Sequence, residues 1–461
     1  MSPGAATPAD PGRRALPPVA GRAEPVATDG PKGDTLVRWR VLALLFGLSF
    51  VAYVVRTNLS VAAKYMMPEL GISEIQMGWV FGAFTFAYAA FQFPGGIAGE
   101  WLGSRRALVL LAVAWAALTL ATGWAPGQTI FTGSAGLGVL LLLRFTMGLV
   151  QAPFYPAYAG AVAAWFPRAG WALPNALGST GLALGAAATS PVVAWLMVTV
   201  GWRASFYWTA PLALAAAGAW WWYARDTPAE HRGVGAAERA WIEAGRHDPP
   251  SPPMSKPRVW RQLLRNRETL LLALSYFCMN YVFYIFFSWL YLYLVDVRKF
   301  SVLEGGVLGA LPWLIGAAAA ALGGWACDHL CARIGPRWGC RLPCVVGLVL
   351  VAFFLVAGAT AGNPYLAVLY LALCFGSTQL TEGAYWAGCT FVAGEHTAAA
   401  SGILNTGGNL GGVVSSPLIP VLVAHFGWLP ALLTGSAFAL LGAILWLFID
   451  VERPLGAQSP A

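Results

Sequence analysis

From Val41 onward the chain is written as apolar runs separated by short polar breaks, and each run is about the ~20 residues a helix needs to cross a hydrocarbon core. There are twelve such runs, near 41–63, 77–98, 107–125, 137–159, 174–199, 203–223, 270–295, 304–326, 343–361, 365–391, 402–424 and 429–449. So much apolar surface cannot be hidden around a water-soluble core. The pattern therefore predicts an all-α, polytopic membrane protein of twelve transmembrane helices in two six-helix bundles. Only 10% of the 461 residues are charged, against about 25% in soluble domains, which excludes a water-soluble enzyme. The 22 Trp and 53 Gly suit a lipid setting, where aromatics sit at interfaces and glycines let backbones approach.

The runs divide the chain into five parts. Residues 1–36 are rich in Pro, Ala and Gly and read as a disordered tail with no apolar run of signal-sequence length. The first bundle occupies 37–223, a polar linker 224–268, the second bundle 269–451, and a short tail 452–461. The net charge of +8 is distributed by topology. With the amino terminus inside, 22 of the 28 Lys and Arg fall in inner segments, four (Lys64, Arg203, Arg298, Lys299) outside, and two (Arg56, Arg144) within spans. The excess of inner positive charge places both termini in the cytoplasm of an inner-membrane protein. Basic residues strung between apolar runs form no solvated patch for nucleic acid.

An internal repeat gives the architecture independently. Gly95-Gly96-x3-Glu100-x4-Arg105 recurs as Gly323-Gly324-x3-Asp328-x4-Arg333, at an offset of 228. Gly181-x3-Gly185-x4-Ser190-Pro191 recurs as Gly407-x3-Gly411-x4-Ser416-Pro417, and Gly201-Trp202 recurs as Gly427-Trp428, both at an offset of 226. Two parallel six-helix repeats joined by a linker are the plan of carriers that rock two halves about a midplane site.

A charge in mid-span costs at least about 2.5 kcal/mol, so by default it faces a cavity and marks a function. Arg56 stands about 24 Å from the inner end of the first span and Arg144 about 12 Å from the outer end of the fourth, at the helical rise per residue. These depths roughly coincide in a ~30 Å core, and two guanidiniums facing one cavity offer paired forks to a carboxylate. The competing reading is that either arginine snorkels outward or rests on backbone carbonyls. Arg144, Met147, Gln151 and Tyr155 share one helical face, as do Tyr276, Asn280 and Tyr284 on the seventh span. Such faces serve either as hydrogen-bonding walls or as ordinary interhelical glue.

With these residues in view the chain resembles a family. Arg56-Thr57-Asn58-Leu59-Ser60-Val61-Ala62, Tyr88 with Gln92-Phe93-Pro94-Gly95-Gly96, Arg144-x6-Gln151-Ala152-Pro153-Phe154-Tyr155-Pro156, Trp165-Phe166-Pro167, Tyr284-x4-Trp289-Leu290 and Asn405-x3-Asn409-x2-Gly412 look like the anion:cation symporters of the major facilitator superfamily. That group includes sugar-acid, hexuronate and aromatic-acid permeases and organic-anion carriers. The resemblance covers nearly all of 40–450. It implies the major facilitator fold, a carboxylate bound by Arg56 and Arg144, Tyr88 lining the same cavity, and Asn405 and Asn409 shaping its second-half wall. The loop Gly96-x3-Glu100-x2-Gly103-x-Arg105 resembles the superfamily's signature, which latches the halves outward-open. Glu100 replaces the usual Asp, Trp101 an Arg and Ser104 a common basic residue, so the latch is expected in weakened form. Asp328 and Arg333 are its second-half counterparts.

Two departures bear on energy coupling. Proton-coupled members carry an acid just before the first arginine and another seven residues after the second; here those positions hold Val55 and Gln151, and neither titrates. The acid well inside a span is Glu382, about 25 Å from the outer end of the tenth by the same rise. Glu382 is the candidate to carry a coupling proton or to contact a cation such as Na+. Uncoupled or potential-driven movement and a non-transporting sensor of the same fold stay open. A membrane enzyme is disfavoured because the five histidines fall in loops or at span ends and form no intramembrane pair. A channel is disfavoured because intramembrane charge occupies one half of a symmetric pair.

Cys327, Cys331, Cys340 and Cys344 flank one inner loop, but their spacing is not that of common zinc sites, and free Cys is often simply a small buried residue. Neither metal nor cofactor is expected. The reading is a monomeric secondary transporter in a lipid bilayer, importing a small organic anion, a carboxylate with hydroxyl or aromatic groups. Arg56, Arg144, Tyr88, Gln151, Tyr284, Asn280, Asn405 and Asn409 are expected to bind it.

Overall fold

The computed structural model describes residues 35–127, 133–167, 171–244 and 257–453. The expected tails, but for their inner ends, lie outside these residues. Everything described is helix, turn or loop, with no strand. The first half comprises α1 (Val37–Leu70), α2 (Glu74–Leu102), α3 (Ser104–Trp124), α4 (Gly133–Gln151), α5 (Phe154–Trp165), α6 (Ala172–Val200) and α7 (Trp202–Tyr223). Two short helices, α8 (Ala236–Ala244) and α9 (Pro257–Leu263), follow in the linker. The second half comprises α10 (Arg267–Leu292), α11 (Val302–Ile334), α12 (Pro336–Thr360), α13 (Pro364–Ala393), α14 (Thr397–Phe426) and α15 (Trp428–Phe448).

The apolar runs set the helices but not their ends. α1 and α11 are 34 and 33 residues long and continue past the expected apolar limits, because backbone hydrogen bonding extends a helix into the polar zone. The expected fourth span is broken into α4 and α5 at Ala152-Pro153, where proline removes a helical donor. Counting 134–165 as one, ten helical segments among the described residues are apolar enough to cross a membrane. The other two, α2 and α7, complete twelve through their packing. In α7 five Trp and two Tyr lower the hydropathy. Large apolar side chains such as Leu142, Trp195, Trp222, Phe353 and Leu447 are exposed around the outside, whereas Arg56 and Arg144 are buried, the reverse of a soluble protein's arrangement.

Packing explains the repeat. In the first half α1 lies on α6, α2 on α4 and α3 on α7; in the second, α10 lies on α14, α11 on α13 and α12 on α15. A Cβ on Gly185 would fall 2.3 Å from the Phe50 carbonyl oxygen, and one on Gly411 would fall 2.4 Å from that of Phe277. The repeated glycine is therefore where two backbones touch. The Ser-Pro step that follows joins the halves instead. Gly306 of α11 packs with its absent Cβ 2.9 Å from the Ser190 carbonyl oxygen of α6, and Gly78 of α2 with its own 2.9 Å from that of Ser416 of α14. Gly201 and Gly427, at φ 88° and 83°, turn the chain between α6 and α7 and between α14 and α15. Those left-handed angles suit glycine alone.

The two ends of the bundle differ. At the linker end α8 docks on α1, with Glu238 accepting from the Arg38 amide at 3.2 Å and Trp241 lying 4.3 Å from the Arg38 guanidinium. At the opposite end the halves close, through the two glycine contacts and an ion pair between Lys64 of α1 and Asp296 beyond α10. A valine at Gly185 is expected to lower the melting temperature of the detergent-solubilised protein, since overpacking costs about 1–3 kcal/mol. A valine at Gly218, whose Cβ would meet nothing within 4 Å, is expected to leave it unchanged or slightly higher. Equal melting of the two variants contradicts this account of the repeat.

Candidate binding site

Arg56 comes from the middle of α1 and Arg144 from α4, and both are almost fully buried, at 4% and 3% exposure. Nη2 of Arg144 is 3.4 Å from the Arg56 carbonyl oxygen, so the two side chains start from one level. One ring, Phe84 of α2, has its centroid 4.8 Å from each guanidinium carbon. Tyr88, one turn further along α2, lies 4.6 Å from Arg56, with Tyr53 at 5.1 Å and Phe287 of α10 at 5.0 Å. Four aromatic rings thus enclose one cation, each worth about 0.5–2 kcal/mol.

Aromatic faces do not neutralise charge. Among the described residues no carboxylate comes within 4.0 Å of either guanidinium. Arg56 donates through Nη1 to the Tyr53 hydroxyl at 3.4 Å and through Nη2 to the Tyr284 hydroxyl at 3.0 Å. The Nε of each arginine is buried without a partner. A guanidinium has five donors in a rigid fork, so most of these donors stay available. Two buried positive charges beside one ring, with no acid within 4.0 Å among the described residues, leave a charge that a compact anion would neutralise.

From Arg56 a hydrogen-bonded chain crosses into the second half and back. Tyr284 of α10 donates to Asn409 Oδ1 at 2.7 Å, Asn409 Nδ2 to Asn405 Oδ1 at 3.1 Å, and Asn405 Nδ2 to Gln92 Oε1 on α2 at 2.7 Å. Tyr88, Tyr284 and Asn409 are therefore brought to Arg56, and Asn405 lies further along the chain. Gln151 and Asn280 are not so used. Gln151 donates to the Ala52 carbonyl at 3.1 Å, and Asn280 donates to its own helix at the Tyr276 carbonyl, 3.0 Å away. Gln151 and Arg144 thus reach successive turns of α1, which braces α4 beside the Pro153 break. Of the face that Tyr155 was expected to share, Met147 is buried and the Tyr155 hydroxyl has no hydrogen-bond partner among the described residues.

Glu382 of α13 lies in a second cluster toward the linker end, accepting from the Tyr276 hydroxyl at 2.7 Å and Trp386 Nε1 at 3.0 Å. No cation pairs with it among the described residues. The Tyr276–Asn280–Tyr284 face is thus divided, one tyrosine serving each cluster. Of the expected latch, Gly96 and Glu100 lie outside the residues whose side chains are described. Gly103, at φ 74°, makes the turn before α3. The amide of Arg105 donates to Asp226 Oδ1 at 2.8 Å and its Nη2 to the Trp221 carbonyl at 2.6 Å, so this arginine is held within its own half. Asp328 and Arg333, near the end of α11, have no ion pair among the described residues.

Sequence reasoning gave no role to Tyr53, Phe84, Phe287 or Gln92. Tyr53 is one turn before Arg56 and Phe84 one turn before Tyr88, a spacing that could have found both. Gln92, one turn after Tyr88, and Phe287, one turn after Tyr284, carry the same spacing signal, but their partners, Asn405 and Arg56, lie in the opposite half and no local spacing names them.

The fold is that of a bacterial homologue of the human lysosomal transporter Spinster, crystallised in an inward-facing, unoccupied conformation, with a TM-score of 0.74, 17% identity and coverage of 93% of this chain and 100% of that one. A probable sulfoacetate transporter of Cupriavidus necator is 29% identical over 416 residues, 90% of this chain and 94% of its own. A probable galactarate/D-glucarate transporter of Bacillus subtilis is 30% identical over 405 residues, 85% and 87% of the two chains. The sequence profile of the Major Facilitator Superfamily matches residues 45–387 and 330–461. With twelve membrane-spanning helices in two pseudo-symmetric halves and this match over most of its length, the chain belongs to the Major Facilitator Superfamily, a family of multi-pass membrane transporters and not of enzymes.

Proposed function

We propose that the protein imports a small organic anion across an inner membrane by alternating access, holding the acid group between Arg56 and Arg144. The observation that carries this reading is the pair of buried guanidiniums sharing Phe84 with no carboxylate within 4.0 Å among the described residues. The relatives named for sulfoacetate and for galactarate or D-glucarate support it, since all three substrates are small acids. Asn409, Asn405 and Gln92 offer amides to the hydroxyls of such a molecule, while Gln151 and Asn280 act as supports. One chain supplies the whole site, so a monomer suffices.

With both termini cytoplasmic, as the 22 inner Lys and Arg of 28 suggest, the end closed by Lys64 and Asp296 is the outer one. The conformation is then inward-facing, consistent with Arg105 staying within its own half. Val55 and Gln151 cannot exchange protons, so coupling falls to Glu382, whose protonation removes the charge assistance from its bonds with Tyr276 and Trp386 and weakens them.

Two experiments test the two parts separately. In a thermal-shift screen of sulfoacetate, aldarates, hexuronates and aromatic acids, Arg144→Ala is expected to bind any stabilising ligand at least about 30-fold more weakly, since losing one partner of a buried charge pair costs about 2–5 kcal/mol. Identical responses of the variant and the parent protein to every ligand refute the carboxylate assignment. In proteoliposomes Glu382→Gln is expected to abolish uptake driven by a pH gradient while leaving counterflow of the same ligand intact. Undiminished concentrative uptake removes Glu382 from the coupling route without touching the arginine site.

A further inference from the structure

At the linker end of the second half, three cysteines meet that the binding site does not use. Cys327 and Cys331 stand one turn apart near the end of α11, and Cys340 comes from the start of α12 across the Gly335 turn. Their sulfur atoms form a triangle with all three sides 3.9 Å. No side is a disulfide; all three are free thiols. The centre of such a triangle is about 2.3 Å from each sulfur, which is the length of a zinc–thiolate bond. Thiols in plain contact also stand about this far apart, so the distance alone does not make a site; what sets this group apart is that three sulfurs from two helices converge on one point, each able to offer a ligand atom.

The backbone is shaped to allow it. A Cβ on Gly339 would fall 2.4 Å from the Cys331 amide nitrogen and 2.5 Å from its Sγ. The residue before Cys340 therefore has no room for a side chain, and its absence lets α12 bring the third sulfur to the other two. Cys327 and Cys340 are buried and Cys331 is half-buried, so the triangle is reached from one corner. Cys344, one turn further along α12, points elsewhere, its thiol on the Thr381 carbonyl at 3.7 Å.

We propose that Cys327, Cys331 and Cys340 form a three-sulfur site for a thiophilic metal ion, Cu(I) or Zn(II). Thiolates select these ions over hard cations. Cu(I) is complete with three sulfurs in a plane, whereas Zn(II) takes a fourth donor on the open side beside Cys331. On binding, each thiol releases its proton to solvent and the ion changes no oxidation state. The ion then clamps the last turn of α11 to the first turn of α12, in the segment that carries Asp328 and Arg333. Sequence spacing does not reveal the site, because its third ligand arrives across a helix turn.

The full chain, purified reduced and stripped by chelator, is offered Cu(I) or Zn(II) alone, desalted and analysed for metal and by X-ray absorption. The expected result is one equivalent of one ion, which identifies it, in a shell of three sulfurs at about 2.3 Å. Cys340→Ser is expected to lose affinity by more than the roughly 10-fold that even an outer-shell change costs, and Cys374→Ser, a buried cysteine of α13, to lose none. Should Cys340→Ser not fold, Cys331→Ser at the accessible corner replaces it, and the bound ion is expected to slow maleimide labelling of Cys331 in the unaltered protein. Parent protein that retains no more of either ion than the serine variants, a shell of oxygen and nitrogen, or labelling equally fast with and without metal overturns the proposal.

Discussion

Two positive charges held dry and close together, with no carboxylate beside them among the described residues, are the condition to which the rest of this molecule answers. A lone charge in an apolar interior is costly, by several kcal/mol even after relaxation, and here the cost arises twice in one place. The local structure reduces it only in part. Four rings turn their electron-rich faces to Arg56, and Arg144 leans on a backbone carbonyl. On the proposed reading, the remaining deficit is what would favour an anion, since a group that offsets it must be negative and compact. The neutral hydroxyls and amides of the second half cannot do so, and on that reading they would meet the remainder of the ligand.

The two halves use one packing device at two levels. Glycines spaced by four bring α1 onto α6 and α10 onto α14, which fixes each half as a rigid unit. The Ser-Pro steps that follow accept a glycine from the opposite half, α2 on α14 and α6 on α11. Backbone contacts of this kind are smooth and carry few directional bonds, as a seam between two halves that rock would need. The ion pair of Lys64 with Asp296 adds a polar tie on the closed end alone.

What the sequence made legible is what can be read along a single dimension. Span positions follow from the run lengths, and the two-fold plan follows from motifs in register. Arg56 and Arg144 stand out because nothing cheap explains a charge at that depth. Partner choice was not legible. Gln151 and Asn280 lie on the faces expected of binding residues, yet their amides go to backbone carbonyls, a choice set by the rotation of each helix against its neighbour. Gln92 and Asn405, 313 positions apart, meet because two glycine seams bring α2 and α14 into register. The helix break at Pro153 was visible as a proline, but other long helices of this chain carry prolines without breaking, so no local signal tells a kink from a break.

The hydroxyl of Tyr284 stands at the junction of both halves, accepting from Arg56 and donating to Asn409. An incoming acid that captures the same guanidinium hydrogen must displace that oxygen. If the acid binds where proposed, cargo and tyrosine are rivals for one proton donor, and filling the site would slacken the link that moors α1 to α10. Loading and loosening would then be the same event, and the carrier would need no separate sensor to learn that it is full.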